Sequence, residues 1–183
     1  MAARAPAKKT TPAKAATSAS APARRQKDAC DLLDADHKAV KKLFKDYEAL
    51  AGSRSRSTAK KRQLADSICR ELVVHATLEE EIFYPAVRAA IKDDALLNEA
   101  TVEHASAKDL ISQIQGMQAE DPMFDAKVTV LGEYIDHHVK EERNEMFTKA
   151  RKTKLDLVKM RAELEARKEE LMGQAQTNGS PQE

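Results

Sequence analysis

The stretch His75-Ala76-Thr77-Leu78-Glu79-Glu80-Glu81-Ile82-Phe83-Tyr84-Pro85 has a second version in His137-His138-Val139-Lys140-Glu141-Glu142-Arg143-Asn144-Glu145-Met146-Phe147. Each holds a histidine followed four residues later by a glutamate, His75 with Glu79 and His138 with Glu142. On an α-helix, positions i and i+4 are neighbours about 6 Å apart at Cβ. Each pair can therefore aim an imidazole nitrogen and a carboxylate at one spot. Each stretch is also preceded, at similar distance, by an acid-histidine dipeptide: Asp36-His37 and Glu103-His104. The surroundings match at equal spacing, Asp36, His37, Lys41 and Leu43 against Glu103, His104, Lys108 and Leu110. All five histidines of the chain belong to this pattern. It describes a duplicated two-helix unit whose histidines and glutamates converge.

The rest of the sequence agrees with helices. Charged residues make up 33%, aromatics 4%, and there is no tryptophan. A mixture rich in Ala, Leu, Glu, Lys and Arg suits helix rather than sheet. A chain of 183 residues is about one domain. No segment approaches the roughly 18 apolar residues of a membrane span, and the N-terminus lacks the apolar stretch of a secretion signal. The expected compartment is the cytoplasm. The two cysteines fit it: on antiparallel helices Cys30 and Cys69 fall on opposite sides of the histidine level, on the order of 20 Å apart. A disulfide needs Cα atoms within about 7 Å, so two free thiols are expected.

Four long helices are expected, followed by a shorter one. Residues 1–27 are expected to be a disordered basic tail, since Ala, Lys, Pro, Ser and Thr offer little to bury. Residues 28–152 form the bundle. Within it the first helix spans about 29–50 and the second about 58–84, ended or kinked by Pro85. A short turn through Ile91 leads to Asp93-Asp94, which starts a third helix to about Met117. Glu120-Asp121-Pro122 opens the fourth, with proline near the first helical position. Short connections make this an all-α, up-down-up-down four-helix bundle. An additional C-terminal amphipathic helix covers 153–173, before a disordered tail at 174–183. Its seam of Leu157, Met160, Leu164 and Leu171 is interrupted by Arg167 and is too short for a coiled coil by itself. Docking on the bundle is the preferred reading and homodimerisation the alternative, so the chain is a monomer or a homodimer.

An isolated His-Glu pair at this spacing is ordinarily a solvated surface pair. These two sit among apolar residues, Leu72, Val73, Leu78 and Ile82 around the first, Ile135 and Met146 near the second. Four imidazoles and two carboxylates from four helices could hold two cations, the carboxylates bridging them and offsetting charge that is costly to bury alone. Nitrogen and oxygen donors without thiolate suit iron, manganese or zinc.

These residues resemble the hemerythrin-like family, in its bacterial HHE cation-binding branch. The likeness covers roughly Cys30 to Arg151. It implies a non-haem di-iron centre with His37 and His75 on one iron, His104 and His138 on the other, and Glu79 and Glu142 bridging. Zinc or manganese would fit the same atoms. The family's oxygen carriers hold a further histidine one turn from the third helix's ligand; here those positions are Ala100 and Lys108. Water or an acid such as Glu103 would fill the place. The fifth histidine, His137, points about 100° from His138 and reads as a surface or supporting residue. Thr148 stands where the first half has Pro85, so the fourth helix is expected to run further. Glu71 and Tyr134, each one turn before a ligand histidine, and Asp36 are candidate hydrogen-bond partners within the centre. Glu80, Glu81 and Glu141 are expected to face solvent. The implied ligands are dioxygen, peroxide or nitric oxide, bound or sensed. The alternative is an enzyme that decomposes peroxide or acts as an oxidase.

The tail carries Arg4, Lys8, Lys9, Lys14, Arg24, Arg25 and Lys27 and no acid. Its composition resembles that of linker-histone tails, and organellar transit peptides share its character. Weak, non-specific nucleic-acid contact is the partner it suggests, a merely solvated tail the plainer reading. Any gel retardation of nucleic acid by the full chain should vanish at moderate salt and on removal of the residues before Asp28. The fold and metal content should survive that removal.

Overall fold

The computed structural model describes residues 25–52 and 57–177. It is a bundle of antiparallel helices with a further helix laid against one side, and no strand occurs among the described residues. Helix α1 is Ala29–Ala51 and α2 is Thr58–Leu78. The chain then widens into a π-turn at Glu79–Phe83 and continues as α3, Tyr84–Ile91. After α4, Asp94–Gly116, and α5, Phe124–Glu141, a second π-turn covers Glu142–Met146 before α6, Phe147–Ala150. Helix α7 is Leu157–Thr177.

Both π-turns begin at the glutamate of a His-x-x-x-Glu pair. Each adds one residue to a turn, closing on a bond from the Tyr84 amide to the Glu79 carbonyl in one half and from Phe147 to Glu142 in the other. Pro85 follows the first, but Thr148 occupies the matching place after the second. Proline is therefore not their common cause. Nor does it end the helix: the helical path runs on to Ile91, where a turn was expected. Lys92 stops it in the left-handed conformation, φ 53°, a stop usually supplied by glycine. Asp93 then caps α4 by accepting from the Leu96 amide.

The fourth helical path corrects two expectations. Pro122 lies in the turn before α5, where the Asp121 carboxylate accepts from the Met123 amide at 2.8 Å. The path ends at Ala150, close to the expected end near Lys152, and does not run on into the C-terminal segment. The Thr153 hydroxyl binds the Ala150 carbonyl at 2.7 Å and accepts from the Leu155 amide at 3.2 Å. That local turn replaces helical bonds, and Asp156 caps α7 through the Lys159 amide.

The core has two apolar clusters. One gathers Leu33, Leu78, Phe83, Val87, Leu97, Met146 and Phe147; the other holds Val40, Phe44, Ile68, Leu72, Ile111, Phe124 and Leu131. Helix α7 adds Leu157, Met160 and Leu164 to the first cluster, so its seam docks within the chain. Arg167, which breaks that seam, pairs instead with Glu81 at 2.7 Å. Helix α7 reaches Thr177, four residues past its expected end. The remainder of both expected disordered tails lies outside the described residues. Cys30 and Cys69 are free and buried, one in each cluster. Burial pushes both thiols up to about 12, which leaves them unreactive.

Asp28 fastens the start of the bundle to its end. It caps α1 in a reciprocal box with Asp31, and the Arg151 guanidinium donates to it twice at 3.0 Å. Arg25 joins from the tail side, 2.7 Å from both Asp28 and Asp31. It is thus part of the fold, and truncation belongs before Arg25. Asp28→Ala should cost about 1–2 kcal/mol from the cap alone, seen as a lower Tm. Burial opposes ionisation of Asp31, but the Arg25 hydrogen bond and the Asp28 amide hold it down at about 2. A depressed carboxylate stabilises above its ordinary value and loses that contribution as pH falls. Asp31→Asn should therefore flatten the acid limb of stability between about pH 4 and pH 2.

Candidate metal centre

Between the two apolar clusters lies a polar layer. Helix α1 brings His37, α2 His75, α4 His104 and α5 His138, and the π-turns bring Glu79 and Glu142; all six are buried, the glutamates to 0% and 1% exposure. The histidines pair as the duplication suggests. His37 Nε2 lies 2.8 Å from His75 Nε2, and His104 Nε2 lies 3.3 Å from His138 Nε2. Glu79 reaches both pairs with separate oxygens: Oε1 is 3.1 Å from His75 Nε2 and Oε2 is 3.3 Å from His104 Nε2. Glu142 Oε2 sits 3.2 Å from His37 Nε2 and 4.0 Å from His138 Nε2. Donors about 2.1 Å from one ion and at right angles stand roughly 3 Å apart, so these spacings fit shared cations.

Electrostatics supports the same fit. Glu79 Oε1 and both Glu142 oxygens are buried without a hydrogen-bond partner. Burial and then the Glu79 charge push Glu142 well above the carboxylate range. Burial opposes Glu79 ionisation too, yet His75 and His104 hold it well below that range. With protein groups alone, burial and mutual repulsion oppose ionising both carboxyls. Burial and the neighbouring His75 charge drive His37 down to about 3. His75, despite burial, is raised to about 10 by Glu79 and Asp36. Positive ions inside the layer would let both carboxylates ionise and all four imidazoles stay neutral, the form that donates to a metal.

The outer nitrogens of the imidazoles are held differently. Glu103 Oε2 is 2.7 Å from His138 Nδ1, and Asp36 Oδ2 is 3.7 Å from His75 Nδ1. Glu80 faces solvent as expected, yet its Oε1 lies 3.0 Å from His104 Nδ1 and it also accepts from Lys108. Neither His37 Nδ1 nor His75 Nδ1 makes a hydrogen bond. Glu71 makes none of these contacts, and Tyr134 is 51% exposed. The buried line of α5 follows Val128, Leu131 and His138, three and seven residues apart, and a step of four from His138 falls off its edge. Glu103 holds an imidazole from outside and so does not fill the place of the missing histidine.

The residue beside that place is Tyr84, which the sequence reading did not single out. Its Oη lies 3.2 Å from His104 Nε2, 3.5 Å from His138 Nε2 and 3.4 Å from Glu79 Oε2. Burial and then the two glutamates raise its pKa far above the phenol value. In an unbroken α-helix, the fifth residue after Glu79 would point about 140° away. The π-turn brings it back to the face. Its counterpart Phe147 instead stacks on His37, ring centroids 5.9 Å apart. His137 stands on the surface, 3.4 Å from Glu141 and 3.6 Å from Glu103.

The chain belongs to the hemerythrin family, the hemerythrin HHE cation-binding domain matching residues 28–150. It is 28% identical over 121 residues to a DNA nickase of Nostoc sp.. That match takes in 66% of this chain and 33% of the relative, so the chain spans about a third of that protein. The fold is similar to the crystal structure of a hemerythrin HHE cation-binding domain-containing protein from Mycobacterium kansasii. The TM-score is 0.69 at 21% identity, over 83% of this chain and 91% of that one.

The contacts rank the supporting residues. Glu80→Gln should weaken metal retention by roughly tenfold or more, whereas Glu71→Gln and Tyr134→Phe should leave it unchanged. Competition against a chromophoric chelator measures all three, and equal losses would show that the Glu80 contact does not tune the centre.

Proposed function

We propose that this protein holds two iron ions and binds or senses dioxygen, peroxide or nitric oxide there. His37 and His75 would hold one ion, His104 and His138 the other, with Glu79 and Glu142 bridging. The reading is carried by a cavity of about 30 Å³ that touches all four imidazoles and is otherwise lined mainly by apolar side chains, among them Val40, Leu72, Ala107, Ile111 and Ile135. A space of that size takes about two water-sized molecules, enough for a diatomic ligand. Iron would supply the change between its two oxidation states and coordination positions for such a ligand.

The remaining groups have separable tasks. Apolar side chains around the cavity keep bulk water from the imidazoles. Tyr84 belongs to the opposite apolar cluster and faces the His104 and His138 pair from there. It is therefore the candidate for the position that a fifth histidine takes elsewhere. Glu80 and Glu103 fix the orientation of His104 and His138. Zinc and manganese suit the same donors.

Two other readings have specific support. Peroxide decomposition or oxidase activity would use the same donors. Strand nicking is suggested by the Nostoc relative together with the basic tail. One set of assays separates them. Iron-loaded protein should contain about two irons per chain and show a charge-transfer band when oxidised; one metal or none would sink the dinuclear reading. Spectral change with nitric oxide, without steady peroxide consumption or relaxation of supercoiled plasmid, supports binding or sensing. Sustained consumption supports the enzyme, and iron-dependent relaxation supports the nickase.

A further inference from the structure

We propose that His137, Glu103 and Glu141 form a surface loading site for a divalent first-row cation, from which ions pass to the His104 and His138 pair. The destination rests on the two-metal reading above; the surface site does not.

His137 Nε2 faces two carboxylate oxygens, Glu141 Oε1 at 3.4 Å and Glu103 Oε1 at 3.6 Å. One imidazole and two carboxylates suit ferrous iron, manganese or zinc. The three side chains are 64%, 32% and 23% exposed for His137, Glu141 and Glu103. A cation there would keep water on its remaining positions and exchange readily, as a loading site requires.

Location adds the second argument. A groove of about 350 Å³ between α4 and α5 is lined by His137 and Glu103 and also by His104 and His138. It shares His104, Ala107, Ile135 and His138 with the inner cavity. Glu103 joins the two levels, because Oε1 faces His137 while Oε2 binds His138 Nδ1 at 2.7 Å. Lys108 is engaged by Glu80 and Lys41 by Asp136. A charged mouth above an apolar groove raises the local cation concentration and the capture rate.

The test uses full-length protein stripped of metal with a chelator. Stopped-flow mixing with ferrous iron should show uptake slowed roughly tenfold in His137→Ala and in Glu141→Gln, with the final iron content equal to wild type. Unchanged uptake rates overturn the proposal. So does a fall in final content, which would put His137 in the centre itself. Manganous ion should also broaden the ring-proton resonances of His137 in wild type at concentrations that leave Glu141→Gln unaffected. Should wild-type protein hold no tight iron pair, the two-metal reading falls. Manganous broadening at His137 then decides the surface site alone, its absence overturning it.

Discussion

Two glutamates buried in the middle of a helical core dominate this protein. Glu79 and Glu142 lie on facing helical paths, beyond the reach of solvent, and repel each other. Nothing apolar could hold two carboxylates in that position. The neighbouring imidazoles only partly answer them, since His75 is driven toward protonation while His37 is driven away from it. The layer is built for a compensating charge that the side chains do not contain, in keeping with a cation-binding family. It also divides the core, so each apolar cluster packs as a separate unit against one face of the layer.

The duplication in the sequence is not a symmetry of the site. Where the first half has Glu80, bonded to the opposite half's His104, the second half has Arg143, which turns to Asp34 at 2.7 Å. The phenol of Tyr84 has a phenyl ring, Phe147, as its counterpart. One histidine pair is thus surrounded by Glu80, Glu103 and a hydroxyl. The other is backed by a phenyl ring, with the outer nitrogens of both His37 and His75 left without a hydrogen bond. Metal positions in such surroundings would differ in charge and in ease of reaching a coordination vacancy, a useful inequality where a small ligand must bind at one end.

The helices and the six converging side chains were legible because helical periodicity relates i to i+4 within a straight segment. Legibility stopped at the π-turns. Nothing in Glu79-Glu80-Glu81-Ile82-Phe83 distinguishes a turn of five from a turn of four. Counting by 3.6 therefore turns Tyr84 away from the site, and gives no sign that Glu80, exposed as expected, also reaches His104. Tyr134 and Glu71 failed for a related reason: the inward stripe drifts, and a step of four back from the buried histidine leaves it while a step of three does not. A recurrent aromatic five residues after the buried glutamate, Tyr84 and Phe147, was the one available signal. The end at Ala150 was hidden as well, because it depends on one threonine hydroxyl capturing a carbonyl.

A helix with one added residue in a turn is a rotated helix from that point onward. The side chains of α3 and α6 are turned by about 100° relative to an uninterrupted continuation of α2 and α5. The apolar cluster containing Phe83, Val87 and Met146 packs in that rotated phase. Grafting the His-x-x-x-Glu pairs onto an ideal straight bundle would reproduce the six polar side chains and misplace the floor beneath them. The transplantable unit is the pair together with its overwide turn.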